Sequence, residues 1–203
     1  MPAITLKYFN IKGRGDAIRL ALELSGAEYT DERFGFDKWP AIKAAGIADG
    51  SIPFGQLPQL TFDGFNLVQS LTILRFIGHK FNLEGSDEHS IYFGQMIMDS
   101  FEDFIISFFK AAFSPNKEED LKKFYETSFV SFMTAFEKLF DTYEGKYWLG
   151  DKATVVDCLA YSILDQIVPA APCTKNYPKV IQSMKDFEQV EQIKKYLESG
   201  RRE

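Results

Sequence analysis

The chain has 203 residues, 45% of them hydrophobic, which is enough to bury a core in one large domain or two small ones. Its net charge of -6 and its pI near 5.1, with no basic stripe, argue against nucleic acid and anionic membrane surfaces as partners. No apolar run reaches the roughly 18 residues that span a bilayer, and no secretory signal pattern opens the chain, so we expect a cytoplasmic protein that does not enter membranes.

The first 80 residues alternate between strand and helix patterns. Apolar alternation predicts a strand over 3–8, and an amphipathic pattern predicts a helix over 15–25. The next patterns predict a strand over 28–34, a short helix around 39–45 and a loop over 44–51. They then predict strands over 59–62 and 66–68 and a helix over 70–80. Asp63-Gly64 is a strong two-residue hairpin signal between the last two strands. This order predicts an α/β domain with the topology of a thioredoxin-like domain.

From about residue 88 onward the strand signals vanish and long helical periods replace them. We therefore predict a first domain over 1–80, a linker over 81–87 and an all-helical domain over 88–203. Within the second domain, Thr154 and Asp157 form a capping-box variant, to which we assign a role in folding rather than in catalysis.

A thioredoxin-like domain usually carries a reactive cysteine after its first strand, but this chain has no cysteine in its first 157 residues. The sequence therefore argues against a disulfide oxidoreductase, because the attacking thiolate has no candidate side chain. Cys158 and Cys173 are interpreted as buried small hydrophobes or incidental thiols. His79 and His89 share no metal-ligand spacing.

Several short motifs occur in the order and at the spacing that are typical of one enzyme family. They are Tyr8-Phe9-Asn10 with Gly13-Arg14, Ile52-Pro53-Phe54-Gly55, Gly55-Gln56-Leu57-Pro58, Gln69-Ser70-Leu71 and Thr72-Ile73-Leu74-Arg75. Over nearly the whole chain they resemble the cytosolic glutathione transferases with a catalytic tyrosine. Some motifs are similar to the sigma class, which includes prostaglandin isomerases, and others to the pi class, so the subclass stays open. The resemblance implies the glutathione transferase fold and reduced glutathione as co-substrate.

In this family the sulfur arrives with glutathione, and the resemblance implies that Tyr8 activates it with the support of Arg14. Taken alone, Tyr8 would be a half-buried packing residue, and Arg14 would form an internal ion pair that fixes the turn before the first helix. Both readings of Arg14 can hold at once, because a guanidinium always keeps its charge.

The resemblance also implies the residues that hold the rest of glutathione. Gln56 belongs to this set, and a cis bond before Pro58 would expose the Leu57 backbone to the peptide. Gln69 and Ser70 would hold the γ-glutamyl carboxylate at a helix start, where Ser70 would otherwise be an ordinary N-cap. Trp39 and Lys43 match positions that contact the glycyl carboxylate, although the 44–51 loop leaves the reach of Lys43 open.

The acidic residues near 100 carry two further expectations. The family places the equivalent of Asp103 against the γ-glutamyl ammonium of ligand bound to the partner subunit, whereas a solvated acidic face is the default for this pattern. Asp99, Glu102 and Asp103 also resemble the cation cluster of sigma-class prostaglandin synthases, but Glu102 replaces an aspartate, and we expect no metal.

The second substrate is expected to be apolar. Phe9, Phe104, Ile105 and Phe108 are candidates to wall its pocket, although an apolar helical stripe also includes Phe104 and Phe108. The charged segment 199–203 adds no helix that would cover the site, which suggests an open cleft.

Three functions fit this sequence. The first is a homodimeric glutathione transferase that conjugates hydrophobic electrophiles in detoxification. The second is a glutathione-dependent isomerase of the prostaglandin D synthase type, and the third is a non-catalytic ligand-binding or structural relative. The intact set Tyr8, Arg14, Gln56, Gln69 and Ser70 favours the enzymes.

Overall fold

The computed structural model describes residues 2–172 and 174–202 of the chain. Cys173, interpreted above as an inert thiol, lies outside these residues, whereas Cys158 is buried. The structure divides into two compact units. One combines the chain up to Leu83 with the segment from Glu191 onward, and the other comprises Glu84–Val190.

The first unit is built on a four-stranded sheet with the strand order β2-β1-β3-β4. Its elements are β1 (Ile4–Phe9), α1 (Asp16–Ser25), β2 (Thr30–Phe34), α2 (Trp39–Ala48), β3 (Gln59–Phe62), β4 (Phe65–Val68), α3 (Ser70–Lys80) and, after the second unit, α9 (Glu191–Glu198). β1 pairs parallel with β2 and antiparallel with β3, and β3 pairs antiparallel with β4. The predicted thioredoxin-like topology is confirmed.

Local sequence explains most of this unit. Ile4, Leu6 and Tyr8 alternate along β1 and are all buried, as a strand with one core face requires. Asp63 and Gly64 have φ values of 48° and 81°, and two successive positive φ values are what a type I′ hairpin turn needs.

The loop predicted over 44–51 is wrong for most of its length, because α2 continues to Ala48. Alanines at 44, 45 and 48 favour the helix, whereas a glycine at 46 disfavours it. Gly46 is buried, and a Cβ atom there would lie 2.6 Å from the Ile52 side chain. The glycine therefore allows the returning chain to pack on the helix, and the Ile52 N–H donates to the Gly46 carbonyl at 2.8 Å.

The second unit consists of helices around an aromatic core. They are α4 (Glu88–Ala112), α5 (Lys117–Glu126), α6 (Ser128–Leu139), α7 (Val155–Ile167) and α8 (Pro178–Glu188). The Phe101 ring stacks on Phe136 at 4.1 Å between centroids and meets Trp148 edge-on at 5.3 Å. Over the described part of the chain, no helix combines the length and apolar character needed to cross a membrane.

The predicted capping box at the start of α7 is confirmed. Asp157 accepts hydrogen bonds from the Thr154 N–H and hydroxyl, both at 2.8 Å, and from the Trp148 N–H at 3.1 Å. Burial raises the pKa of this carboxyl to about 6, although the same hydrogen bonds oppose the shift. The carboxylate therefore connects the helix start to the aromatic core.

The end of the chain groups with the first unit in the structure, and the domain bounds 1–80 and 88–203 with the linker 81–87 stay a prediction. α9 and the residues that follow it belong with the first unit, because Ile193 and Tyr196 are buried and α9 packs against α1. An amphipathic helix alone does not indicate which of two units it will cover, so the sequence could not predict this placement.

We expect Asp157→Ala to lower the free energy of unfolding by about 3 kcal/mol at pH 7, because it leaves buried donors of Trp148 and Thr154 without an acceptor. Urea unfolding followed by circular dichroism measures the change. Asp151→Ala, an exposed aspartate in the preceding loop, is the matched control and should change stability by less than about 0.5 kcal/mol. An equal small effect of both substitutions would contradict the role given to Asp157.

Candidate active site

Tyr8 lies under the turn that joins β1 to α1. Its Oη atom accepts the backbone N–H of Arg14 at 3.0 Å, and its side chain is 6% exposed. A Cβ atom on Gly15 would lie 2.4 Å from Tyr8 Cδ1, and one on Gly13 would lie 2.7 Å from Tyr8 Oη. Gly13 also has a φ of 42°, which L side chains rarely adopt. Both glycines are therefore needed for the turn to close over the phenol.

The environment of Tyr8 favours the neutral phenol. Burial raises the pKa of Tyr8 above its ordinary 10.0, while the Arg14 N–H and the charges of Arg14 and Arg19 oppose the shift. The phenol is thus protonated at neutral pH, and the Arg14 N–H occupies an acceptor position of Oη rather than its hydrogen. Tyr8 can therefore still donate a hydrogen bond to a ligand.

A buried arginine that the sequence analysis missed lies beside Tyr8. The Arg19 guanidinium carbon is 5.8 Å from the centroid of the Tyr8 ring, and its Nε atom contacts both Asp31 carboxylate oxygens at 3.0 and 3.2 Å. The other guanidinium nitrogens donate to the carbonyls of Ile11 at 2.8 Å and Phe9 at 3.2 Å. Its signal in the sequence was a single charge inside the apolar run from Ala17 to Leu22.

Arg14 and Ser70 are 56 positions apart in the sequence but lie side by side, since Arg14 Nη1 is 3.5 Å from Ser70 Oγ. Ser70 is the first residue of α3 rather than its N-cap. The cap is Gln69, which has a φ of 73° and whose side chain makes no capping bond. A non-glycine residue in this conformation costs on the order of 1 kcal/mol and is characteristic of binding sites. The first N–H groups of α3 therefore point out of the helix, where an anion can accept them.

Gln56 and the Leu57–Pro58 bond lie next to this helix start. The Gln69 side-chain amide donates to Gln56 Oε1 at 3.2 Å, and both side chains are exposed. The Leu57–Pro58 peptide bond is cis, as the resemblance implied, and it directly precedes β3.

Lys43 and Trp39 lie on α2. A Cβ atom on Gly55 would lie 2.7 Å from Lys43 Cε, so the lysine stem extends over this glycine. Trp39 begins α2, and its ring meets Phe9 edge-on at 5.6 Å. Phe9 also stacks on Phe36 at 4.5 Å, so Phe9 belongs to an aromatic cluster of the first unit.

The remaining predicted site residues lie on α4 in the second unit. Asp103 and Asp99 are exposed and Glu102 is half-buried, which agrees with their predicted position away from the apolar stripe. Within residues 2–172 and 174–202, no group of three or more His, Cys, Asp or Glu side chains is arranged to hold a metal ion. The contact of Asp103 with a partner's ligand stays a prediction.

Packing accounts for Phe104 without a ligand. This side chain is fully buried, and its ring lies 5.3 Å from Phe132 and 5.8 Å from Phe124. Ile105 is buried as well, and the half-buried Phe108 packs edge-on against Phe124 at 5.5 Å. Their assignment to acceptor binding, like that of Phe9, stays a prediction.

The chemistry of these groups suits a small ligand that carries both a carboxylate and an acidic hydrogen-bonding group. The N-terminal end of α3 and the Arg14 charge suit the carboxylate. The neutral Tyr8 phenol suits an acidic group of the ligand. A hydrogen-bond donor stabilises the ionised form of such an acceptor and so lowers its pKa.

Comparison with known proteins identifies the family. Residues 4–79 match the model of the glutathione S-transferase N-terminal domain, and residues 99–200 match a glutathione S-transferase C-terminal domain. Glutathione S-transferase P 2 from Bufo bufo is 32% identical over 96% of this chain and 92% of its own length.

Two solved structures are similar to this chain over nearly its whole length. A nematode-specific enzyme of C. elegans has a TM-score of 0.89 at 27% identity over 98% of each chain. A Pi-class enzyme of Onchocerca volvulus has a TM-score of 0.87 at 26% identity over 97% of this chain and 93% of its own.

The curated relatives bear the names of several glutathione S-transferase classes, among them P and Mu, so the names leave the subclass open. The matches to both domain models, together with the identity over nearly the full length, show that this chain is an enzyme of the glutathione S-transferase family.

Proposed function

We propose that this glutathione S-transferase conjugates the thiolate of reduced glutathione to hydrophobic electrophiles, and that Tyr8 is the residue that activates the thiol. The observation that carries this proposal is the hydrogen bond from the Arg14 N–H to Tyr8 Oη at 3.0 Å. It fixes the phenol while leaving its hydrogen free to be donated to sulfur.

The expected gain from ionisation is moderate. A free thiol with a pKa of about 8.5 is about 3% thiolate at pH 7, and lowering its pKa by about two units makes it about 75% thiolate. Because nucleophilicity falls with pKa, a Brønsted slope of about 0.4 to 0.5 leaves a net gain of about threefold. Positioning the thiolate against the electrophile must therefore supply most of the acceleration.

The rest of glutathione fits the polar groups of the first unit. We assign the γ-glutamyl carboxylate to the start of α3, with Gln69 and Ser70, and the peptide backbone to the segment at Leu57 and the cis Pro58. The exposed Lys43 suits the glycyl carboxylate, because a lysine is a point charge at the end of a flexible stem.

The proposal also includes a role in detoxification, a cytoplasmic location and assembly as a homodimer. Exposed apolar side chains in both units support a second copy as partner, since Phe54 and Phe65 in the first unit are 68% and 57% exposed and Tyr92 in the second is 62% exposed. We assign the chain to the tyrosine-type enzymes. Assays with endoperoxide substrates would distinguish conjugation from the isomerase alternative.

The test of the proposed function is Tyr8→Phe. Removing the donor should lower kcat/KM with a chloronitroaromatic acceptor about 10- to 100-fold, because a hydrogen bond to a charged group contributes about 1.5–3 kcal/mol. Retention on immobilised glutathione should persist, because most of the peptide contacts remain.

Tyr29→Phe is the matched control for this substitution. It removes another phenolic hydroxyl of the first unit, one that donates to Glu23 Oε1 at 2.9 Å. Its kcat/KM should equal that of the wild type, and unchanged activity of Tyr8→Phe would refute the role proposed for Tyr8.

Gly15→Ala tests whether the turn positions Tyr8. The φ of Gly15 is -78°, so alanine fits the backbone, and only the approach to the Tyr8 ring opposes it. We expect kcat to fall about 100-fold from the displaced phenol, with the far-ultraviolet circular dichroism unchanged.

Gly35→Ala is the control for Gly15→Ala. Gly35 has a φ of -76°, and its added methyl group would meet only the carboxylate of the exposed Asp37, which can move aside. Full activity of both alanine variants would show that the close contact with Gly15 has no part in catalysis.

A further inference from the structure

Two consecutive arginines after α9 bind opposite ends of α1 within the first unit. Arg201 donates from both terminal nitrogens to the Glu23 carboxylate at 2.8 Å each. Arg202 donates from Nε to Asp16 Oδ1 at 3.0 Å and from Nη2 to Asp16 Oδ2 at 2.7 Å. Each pair is a fork of two parallel hydrogen bonds, the strongest geometry for arginine and carboxylate.

The two pairs differ in burial. The Asp16 side chain is fully buried and that of Arg202 is 7% exposed, whereas the Arg201 side chain is 56% exposed. A surface pair contributes little to stability. Removing one member of a buried pair leaves the other charge without compensation in a region of low dielectric constant, which strongly destabilises that local arrangement.

Asp16 directly follows the turn that covers Tyr8. The 3₁₀ turn Gly13–Gly15 ends where α1 begins with Asp16, and the Asp16 N–H donates to the Lys12 carbonyl at 3.0 Å across that turn. The preceding Gly15 lies against the Tyr8 ring, and the Arg14 N–H bonds Oη. A shift of the Asp16 carboxylate is thus transmitted through one or two peptide units to the groups that hold the phenol.

We propose that Arg202 is a positioning residue for Tyr8, which acts by holding the buried Asp16 carboxylate and with it the turn Gly13–Gly15. This inference rests on the proposed function of Tyr8. Arg202 itself touches no reacting atom. Its role is to neutralise the Asp16 carboxylate. Without this partner the carboxylate would bind water or move toward solvent, and either change would displace the start of α1.

The test compares Arg202→Ala, Arg202→Lys and Arg201→Ala in the full chain. The measurements are kcat and KM with a chloronitroaromatic acceptor, the pKa of the thiol of bound glutathione from its ultraviolet thiolate absorbance, and the thermal unfolding midpoint. For Arg202→Ala we expect kcat to fall at least about tenfold, since small misplacements of catalytic groups have effects of this size. The thiol pKa should rise toward its free value near 8.5.

Arg202→Lys keeps the charge but loses the fork, so its kcat and thiol pKa should fall between those of wild type and Arg202→Ala. Arg201→Ala should match the wild type in both quantities. If Arg202→Ala does not fold, the comparison of Arg202→Lys with Arg201→Ala decides the question.

A lower unfolding midpoint for the Arg202 variants with wild-type kcat and thiol pKa would overturn the inference, because the pair would then serve the fold alone. An Arg201→Ala variant that is as impaired as Arg202→Ala would overturn it as well. Failure of the proposed function is distinguishable, since in that case Tyr8→Phe itself would keep full activity.

Discussion

The hydrogen bond between the Arg14 N–H and Tyr8 Oη is the interaction on which the proposed chemistry depends. A phenol at the end of a strand would ordinarily be a packing residue. Here a turn with two glycines approaches it so closely that no other residue fits at 13 or 15 without displacing it. The backbone donor leaves the phenolic hydrogen as the group presented to a ligand, and burial keeps that hydrogen in place at neutral pH.

Buried charges surround this turn, and each has a partner. Arg19 is held by Asp31 and by the carbonyls of Phe9 and Ile11, and Asp16 is held by Arg202. Desolvating such groups is unfavourable unless their hydrogen bonds are satisfied. The arrangement is therefore sensitive to small movements, which suits a site that must hold one phenol in one orientation.

The features that could be predicted from the sequence are those that depend on residues close together in the chain. The alternation along β1, the Asp63-Gly64 hairpin and the Thr154–Asp157 capping box each involve residues a few positions apart, and all were predicted. The cis Leu57–Pro58 bond came from the family resemblance, because the base rate for X-Pro bonds is only about 5–6%.

The features that were missed depend on distant contacts. The extension of α2 to Ala48 depends on Ile52 packing against Gly46, and an isolated glycine usually argues against a helix. The pairing of Asp16 with Arg202 joins residues separated by 186 positions, and the local sequence of neither residue indicates the other as its partner. Only the tertiary structure reveals such a pair.

The most direct measurement of the central claim is an ultraviolet titration of glutathione bound to the wild-type enzyme and to Tyr8→Phe. With Tyr8 present, thiolate absorbance should appear with a pKa at least about one unit below the free value near 8.5, and Tyr8→Phe should return it toward that value. A bound thiol that titrates with the same pKa in both proteins would contradict the account.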